Sequence, residues 1–185
     1  MVYFEKFLSH DTIFVVWSWE ECIMDERCCY ICGPLTELPP DVRDKVKAVY
    51  SCLAGICQKV TGVRGFAPHE HYDPVAAPHF TPQQVDAGER EQVCKKTSCV
   101  IVVALAPSWG GGIEVEMANR SGVPVILLAP QGKQVSRLLR GNPAVMAERE
   151  FFSDFSNIEC VLQCLLEEIF IKGLCQKVIT KRTTQ

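Results

Sequence analysis

One segment of the chain combines a carboxylate with a backbone suited to binding an anion. The sequence PSWGGGIEVEMA places a proline, a serine and three glycines directly before a helix-like stretch. Gly110 and Gly112 let the backbone after Ser108 approach a ligand closely, and a helix that begins near Ile113 would point its free N–H groups at that ligand. The helix dipole would favour an ionised Glu114 in the first turn. The segment therefore predicts an anion site beside a charged carboxylate.

Two common phosphate-binding motifs do not fit this glycine segment. A P-loop requires Lys followed by Ser or Thr directly after its last glycine, whereas Ile113 and Glu114 follow Gly112 here. A dinucleotide fingerprint requires GxGxxG with its third glycine inside the helix, and the stretch from Gly110 to Val115 lacks it. ATP hydrolysis through a P-loop is therefore excluded.

Strand-like and helix-like segments alternate along most of the chain. Eight apolar, often β-branched residues from Cys99 to Ala106 are typical of a strand covered on both faces of a parallel sheet. Further strands are predicted at 28–33, 63–67, 123–129 and 148–152, and helices at 40–62, 82–96, 132–141 and after an Asp154 cap. This alternation predicts a single-domain α/β fold, with a doubly wound, mostly parallel sheet and helices on both faces, Rossmann-like or flavodoxin-like.

The two ends of the chain fall outside this pattern. Residues 1–27 hold one strand-like run, Thr12 to Trp17, and are predicted to be an N-terminal extension of uncertain structure. Residues 28–172 form the predicted catalytic domain, and residues 173–185 form a polar tail.

The fold predicts which side chains can meet. Ligands of open parallel sheets bind beyond the carboxyl ends of the strands, and the loops after Gly33, Ala67 and Ala106 all open on that edge. On the helix capped by Thr81, Glu89 shares the inward face with Val85 and Val93, whereas Asp86 does not. The side chains expected to converge at this edge are those of Tyr30, His69, Glu89, Ser108 and Glu114.

Composition excludes several classes of function. The chain has 185 residues, 48% hydrophobic and 22% charged, with a formal charge of -3. A basic face for nucleic acid does not stand out, and the apolar runs are far shorter than the roughly 20 residues of a membrane span. The start of the chain lacks a cleavage site typical of a signal peptide. We therefore expect a cytoplasmic protein that binds neither nucleic acid nor membrane.

The cysteines and histidines do not form a convincing metal motif. Eleven cysteines is an odd number, and they lie within predicted strands and helices, which favours reduced intracellular thiols. The cluster of Cys28, Cys29 and Cys32 has no second pair at zinc-finger spacing, and His69 and His71 lack a third ligand. We expect no metal and no cofactor.

The segment PSWGGGIEVEMA, together with YICGPL upstream, resembles the nucleoside 2-deoxyribosyltransferase-like superfamily. Within it, the chain is most similar to the nucleoside 5'-monophosphate N-glycosidases, which cleave the bond between base and sugar. The resemblance extends from about Tyr30 to Val145. It implies a nucleoside or nucleoside 5'-monophosphate as substrate.

The resemblance also implies roles for individual residues. It makes Glu114 the catalytic nucleophile, because this residue lies six positions after the loop serine, and it makes Tyr30 the residue that orients the catalytic carboxylate. Ser108 would contact the 5'-phosphate. Ser136 would reach the site of a neighbouring subunit, which implies a homodimer. The remaining predicted substrate contacts are Gly33, Gly110, Gly112 and His69.

Two positions depart from the family pattern. The assisting acid is normally an aspartate on the helix before the central strand, and this chain offers Glu89 or, less favourably, Asp86. The monophosphate hydrolases also carry a serine and an arginine just after the glycine of the first strand. Pro34 and Thr36 stand there in this chain, which removes a phosphate ligand.

The chemistry of an N-glycosidic bond suits two carboxyl groups. Its cleavage passes through an oxocarbenium-like state that a carboxylate stabilises or attacks, while a second acid helps the base to leave. If the two carboxyl groups are partly buried together, the pKa of one of them is raised. Only Glu114 is expected to face the cleft, because Glu116 lies about 200° around the helix from it. The resemblance, with which this chemistry agrees, thus implies hydrolysis of a nucleoside 5'-monophosphate through Glu114 and Glu89. A deoxyribosyltransferase and a non-catalytic nucleotide-binding sensor or partner module stay as alternatives.

Overall fold

A four-stranded parallel sheet forms the centre of the computed structural model, which describes residues 8–9, 12–13, 28–36 and 38–171. Its strands stand in the order β3 (Cys28–Cys32), β4 (Thr97–Val103), β5 (Val125–Pro130) and β6 (Val145–Phe151), and each neighbouring pair is parallel. Two short strands, β1 (Leu8–Ser9) and β2 (Thr12–Ile13), pair antiparallel in a separate sheet.

Helices cover both faces of this sheet. They are α1 (Pro40–Thr61), α2 (His69–Tyr72), α3 (Pro82–Lys95), α4 (Trp109–Arg120), α5 (Arg137–Arg140) and α6 (Ile158–Leu166), which continues as a π-helical turn, Glu167–Ile171. Buried residues of α1 and α6 share one core with the sheet, and buried residues of α3 and α4 share the other. The prediction of a doubly wound, parallel α/β fold is confirmed.

The strands alternate between these two cores. In β4, Val100 and Val102 face the core of α3 and α4, whereas Ile101 and Val103 face the core of α1 and α6. All four are buried, since each face of the sheet is covered. This double burial explains why the strand reads as an unbroken apolar run.

The prediction of a strand at residues 63–67 is wrong. Its only ladder contact with the described part of the chain is an isolated parallel bridge between Phe66 and Tyr30, in which Ile31 N–H donates to the Phe66 carbonyl at 2.8 Å. Gly62 adopts a left-handed φ of 83°, and Gly65 packs so closely on α1 that a Cβ there would lie 3.0 Å from Ala54 Cα. The chain therefore touches β3 at one residue and then turns into α2.

Several predicted boundaries also shift. β4 ends at Val103 instead of Ala106, since Leu105 N–H turns back to the Val103 carbonyl at 3.0 Å. β6 begins at Val145, before the predicted start. Asp154 does not cap α6: its carboxylate accepts from Ser156 N–H at 3.0 Å, and the residue before the helix is Asn157.

The predictions for the chain ends lie mostly outside the described residues. Of the run from Thr12 to Trp17, only residues 12–13 are described, and the rest of the extension from 14 to 27 and the tail from 173 to 185 are not. The proposed domain boundaries stay predictions. Across the part of the chain that the structure describes, none of the helices is long and apolar enough to cross a membrane.

Candidate active site

The carboxyl ends of β3 and β4 open toward the first two turns of α4. The buried face of α4 carries Gly111, Glu114, Val115 and Ala118, at the spacing of one helical stripe. Glu114 is only 7% exposed. Glu116 lies off this stripe, where it pairs with Arg120 at 2.9 Å. The helix therefore presents one glutamate to the cleft and the other to the surface.

The start of α4 differs from the prediction. The helix begins at Trp109, not near Ile113, because Ser108 is its N-cap and accepts a hydrogen bond from Gly111 N–H at 3.1 Å. The three glycines form the first turn instead of a preceding loop. Glu114 therefore lies in the second turn, beyond the first turn in which the helix dipole favours an ionised carboxylate. Its place on the buried stripe of α4 decides where it points.

Two side chains of β3 hold the carboxylate of Glu114. The Tyr30 hydroxyl donates to Oε1 at 2.7 Å, and the Cys32 thiol donates to Oε2 at 2.7 Å. Tyr30 and Cys32 are two residues apart, so they extend from the same face of the strand. Both oxygens of one carboxylate are thus bound by one strand.

Burial has the largest effect on the pKa of Glu114. Burial raises this pKa, while the hydrogen bonds from Cys32 and Tyr30 lower it by a smaller amount. The pKa values of Tyr30 and of Cys32 are raised by burial first and then by the charge of Glu114. Both donors therefore keep their protons.

Sequence reasoning missed Cys32. The signal was the two-residue spacing from Tyr30 on a predicted strand, which places both side chains on one face. From the sequence, Cys28, Cys29 and Cys32 are interpreted as reduced thiols in preference to a zinc half-site, and neither interpretation gives Cys32 a role in the cleft.

Glu89 of α3 lies beside Glu114 in the same cleft. Burial raises the pKa of Glu89 to about 7, and the charges of Glu114 and then Asp86 add to the effect. Asp86 is more exposed and pairs with Arg90 at 2.8 Å, which lowers its pKa. Of the two acids, Glu89 is the one that can carry a proton near neutral pH.

Two adjoining cavities meet at these carboxyl groups. The first, of about 440 Å³, is called the apolar pocket. The second, of about 280 Å³, is called the cationic pocket. Both are lined by Glu89, Gly110 and Glu114. The rest of the apolar pocket consists of Tyr72, Pro74, Ala77, Pro78, Phe80, Pro82, Val85, Asp86, Ile113 and Met117.

The cationic pocket takes its name from two side chains of α1. Arg43 donates from Nη2 to the carbonyls of Thr36 and Leu38, at 3.2 and 3.0 Å, and Lys47 pairs with Asp73. Ser108 lines the same pocket at the start of α4. Sequence reasoning missed both cations, although their spacing of four residues places them on one face of α1.

The glycine and histidine candidates differ in position. Gly33 lines the cationic pocket, where a Cβ would lie 2.9 Å from the Val103 carbonyl oxygen, so a side chain has no room. His69 lines that pocket too, and its Nε2 lies 3.2 Å from Ser51 Oγ. Burial lowers the pKa of His69. Its Nδ1 is buried without a hydrogen-bond partner among the described residues.

The remaining predicted contacts lie away from the cleft. Gly112 lines neither pocket and points into open space. Ser136 precedes α5, is exposed and also lines neither pocket. His71 stacks on Phe66 at a ring distance of 4.1 Å. Within the described ranges, no group of three or more His, Cys, Asp or Glu side chains is arranged to hold a metal ion.

Comparison with known proteins adds only distant likenesses. No family model and no curated protein sequence matches the chain. One similar solved structure is a 2-deoxyribosyltransferase from the psychrotolerant bacterium Bacillus psychrosaccharolyticus, at 17% identity and a TM-score of 0.47, covering 72% of this chain and 94% of that chain. Another is a conserved protein from Enterococcus faecalis, at 16% identity and a TM-score of 0.42, covering 80% and 98%. Values this low do not identify acting residues, so function is interpreted from the cleft.

Proposed function

We propose that the protein hydrolyses the N-glycosidic bond of a nucleoside 5'-monophosphate, releasing the free base and (deoxy)ribose 5-phosphate. The observation that carries the proposal is a pair of carboxyl groups, Glu114 and Glu89, at the junction of an apolar and a cationic pocket. The resemblance of PSWGGGIEVEMA and YICGPL to the nucleoside 2-deoxyribosyltransferase-like superfamily supports it.

Glu114 is the nucleophile in this proposal. Its carboxylate oxygen bonds to the anomeric carbon as the bond from that carbon to the base nitrogen breaks, and the electron pair of that bond goes to the base. Tyr30 orients the carboxylate through the bond of 2.7 Å to Oε1. Because it is buried and has no cationic partner among the described residues, the carboxylate responds to positive charge that develops on the sugar.

Glu89 is the assisting acid. Because its pKa is about 7, it holds a proton at neutral pH and can give it to the departing base nitrogen. It then accepts a proton from the water that attacks the anomeric carbon and releases Glu114. The same carboxyl group thus acts as acid in the first step and as base in the second.

The two pockets suit the two ends of a nucleotide. The apolar pocket, with Tyr72 and Phe80 in a T-shaped pair at 5.2 Å, would hold the flat base. The cationic pocket would hold the 5'-phosphate between Arg43, Lys47 and the start of α4 at Ser108, with the backbone of Gly33 and Gly110 nearby.

The other predicted contacts complete the proposal. His69 would meet the sugar or base from the wall of the cationic pocket. Gly112 and Ser136 lie outside the cleft of their own chain, and in a homodimer Ser136 would contribute to the neighbouring site.

Incubation with a panel of nucleoside 5'-monophosphates, followed by chromatography of the free bases, tests the proposal. We expect one or more substrates to release base, and Glu114→Gln to lower that rate by about 10³-fold or more, since the nucleophile is lost. Glu116→Gln is the matched control on the same helix and should keep the wild-type rate. No free base from any nucleotide, or full activity in Glu114→Gln, would contradict the proposal.

Two other outcomes would redirect it. A deoxyribosyltransferase would use the same floor of the cleft, formed by Tyr30, Cys32 and Glu114, but would pass the sugar to a second base. The apolar pocket of about 440 Å³ has room for one base after another has left. Addition of a second free base would then yield a new nucleoside. A nucleotide-binding sensor or partner module would show saturable binding of the nucleotide with no turnover.

A further inference from the structure

The thiol of Cys32 makes an unusual contact in the floor of the cleft. Cys32 is 1% exposed, and its Sγ lies 2.7 Å from Oε2 of Glu114. The first turn of α4 packs against the same sulfur, because a Cβ on Gly111 would lie 3.3 Å from it. Strand and helix thus hold the sulfur against the carboxylate.

We propose that Cys32 is a positioning residue whose thiol, by donating to Oε2, fixes the plane of the Glu114 carboxylate and stabilises its ionised form. The inference rests on the proposed role of Glu114 as nucleophile. With Tyr30 on Oε1 and Cys32 on Oε2, rotation of the carboxylate would break two hydrogen bonds at once. Each oxygen keeps one lone pair that is not used by these donors.

The groups that face Glu114 support a role of Cys32 in stabilising its ionised form. Tyr30 and Cys32 reach it from β3, and Glu89 of α3 lines the same cleft. Tyr50 of α1 lies further off, where burial first, and then the charges of Cys32 and Glu114, raise the pKa of its hydroxyl. Arg43, Lys47 and His69 line the cationic pocket but make no hydrogen bond to Glu114. Among the described neighbours, only Tyr30 and Cys32 donate hydrogen bonds to the carboxylate.

A donor on a carboxylate lowers its pKa, so loss of the thiol should raise the pKa of Glu114. The acid limb of the profile of kcat/KM against pH, which requires ionised Glu114, should then move upward by about one pH unit. The alkaline limb, which reports Glu89, should stay in place. A merely structural role would lower activity at every pH alike.

The pH profile is measured for Cys32→Val, Cys32→Ser and the control Cys29→Val, which alters a buried cysteine on the opposite face of β3. In Cys32→Val we expect the acid limb to move to higher pH, with kcat about tenfold lower on that limb and KM unchanged. Cys32→Ser keeps a donor and should restore the limb, while Cys29→Val should not move it. An acid limb that stays at the wild-type pH in Cys32→Val would overturn the inference.

Infrared spectroscopy tests the contact without turnover. The Cys32 S–H stretching band, isolated as the difference between wild type and Cys32→Ser, should move upward in frequency in Glu114→Gln, because the amide is a weaker acceptor. The carboxyl band lost in Glu114→Gln should titrate at higher pH in Cys32→Val than in wild type. If neither band moves, the inference is wrong. If both move in a protein that releases no base, the contact stands and the proposed function fails.

Discussion

The floor of the cleft and the cationic pocket are built from different kinds of contact. In the floor, Tyr30, Cys32 and Glu114 are all buried and joined by hydrogen bonds of 2.7 Å from strand to helix. In the cationic pocket, Arg43 is half-buried and donates from Nη2 to two backbone carbonyls, its buried Nε has no hydrogen-bond partner among the described residues, and Lys47 pairs with Asp73. The floor therefore has one arrangement, whereas the cations of the pocket can exchange their present partners for a ligand.

This difference separates two kinds of effect on catalysis. Groups that act on the reacting bond change the stability of the transition state, and groups that hold a remote phosphate bind substrate and transition state alike. Floor variants should therefore lower kcat, and variants of the cationic pocket should raise KM. The predictions below test that separation.

After Glu114→Gln itself, the largest effect is expected from Glu89→Gln. Loss of the proton donor should lower kcat by about 10²-fold or more. The wild type should lose activity as pH rises through about 7, because Glu89 gives up its proton there, and the variant should lack this alkaline limb. Rates of base release from pH 5 to 9 measure both. Glu91→Gln, which changes a half-exposed glutamate on the same helix, is the control. An alkaline limb near pH 7 in Glu89→Gln would contradict the assignment.

A smaller effect is expected from Tyr30→Phe. The ring and its stacking on Phe66 are kept, and only the hydrogen bond to Oε1 is lost. A hydrogen bond to a charged group contributes about 1.5–3 kcal/mol, so kcat should fall by at least about tenfold with little change in KM. Steady-state kinetics measure the split. A raised KM with unchanged kcat would place Tyr30 with the binding groups and not with the floor.

Arg43→Met, in contrast to Tyr30→Phe, should change KM and not kcat. Removal of one partly exposed cation should raise KM for the nucleoside 5'-monophosphate by about fivefold, since such pairs contribute about 1 kcal/mol. It should leave kcat, and the KM of the unphosphorylated nucleoside, unchanged. Arg149→Met, which changes an exposed side chain of β6, is the matched control. An equal rise in KM for nucleotide and nucleoside would show that this end of the cleft does not bind the phosphate.

The smallest effect concerns stability. The folded pKa of Glu89, about 7, lies above the ordinary value of 4.5, so the folded state binds more protons between these pH values, and its stability falls as pH rises through them. Glu89→Gln removes that loss. After allowance for partial exposure, the variant should gain about 1 kcal/mol in free energy of unfolding relative to wild type between pH 5 and pH 8. Denaturant unfolding at both values measures it, and a gain at pH 5 instead would contradict the burial of an ionised Glu89.

Local patterns predicted most of the fold. The helix from Pro40 and the helix capped by Thr81 follow from apolar spacing and a capping box, and both are observed at nearly the predicted bounds. Glycine misled the prediction in one place: three glycines disfavour a helix by propensity, yet the Ser108 cap and packing against Cys32 place them inside α4. The run at 63–67 looked like a strand but meets β3 at Phe66 alone.

The amino-acid sequence by itself determined the parallel α/β fold and the candidate carboxyl groups Glu114 and Glu89, because burial on both faces and helical spacing are written in local residue order. Only the tertiary structure decided which groups touch them. Cys32 lies 82 residues before Glu114 in the chain, and the cations that line the cleft come from α1 instead of the loop after Gly33. Such contacts depend on how strands and helices pack at one edge of the sheet, and no local pattern encodes that packing.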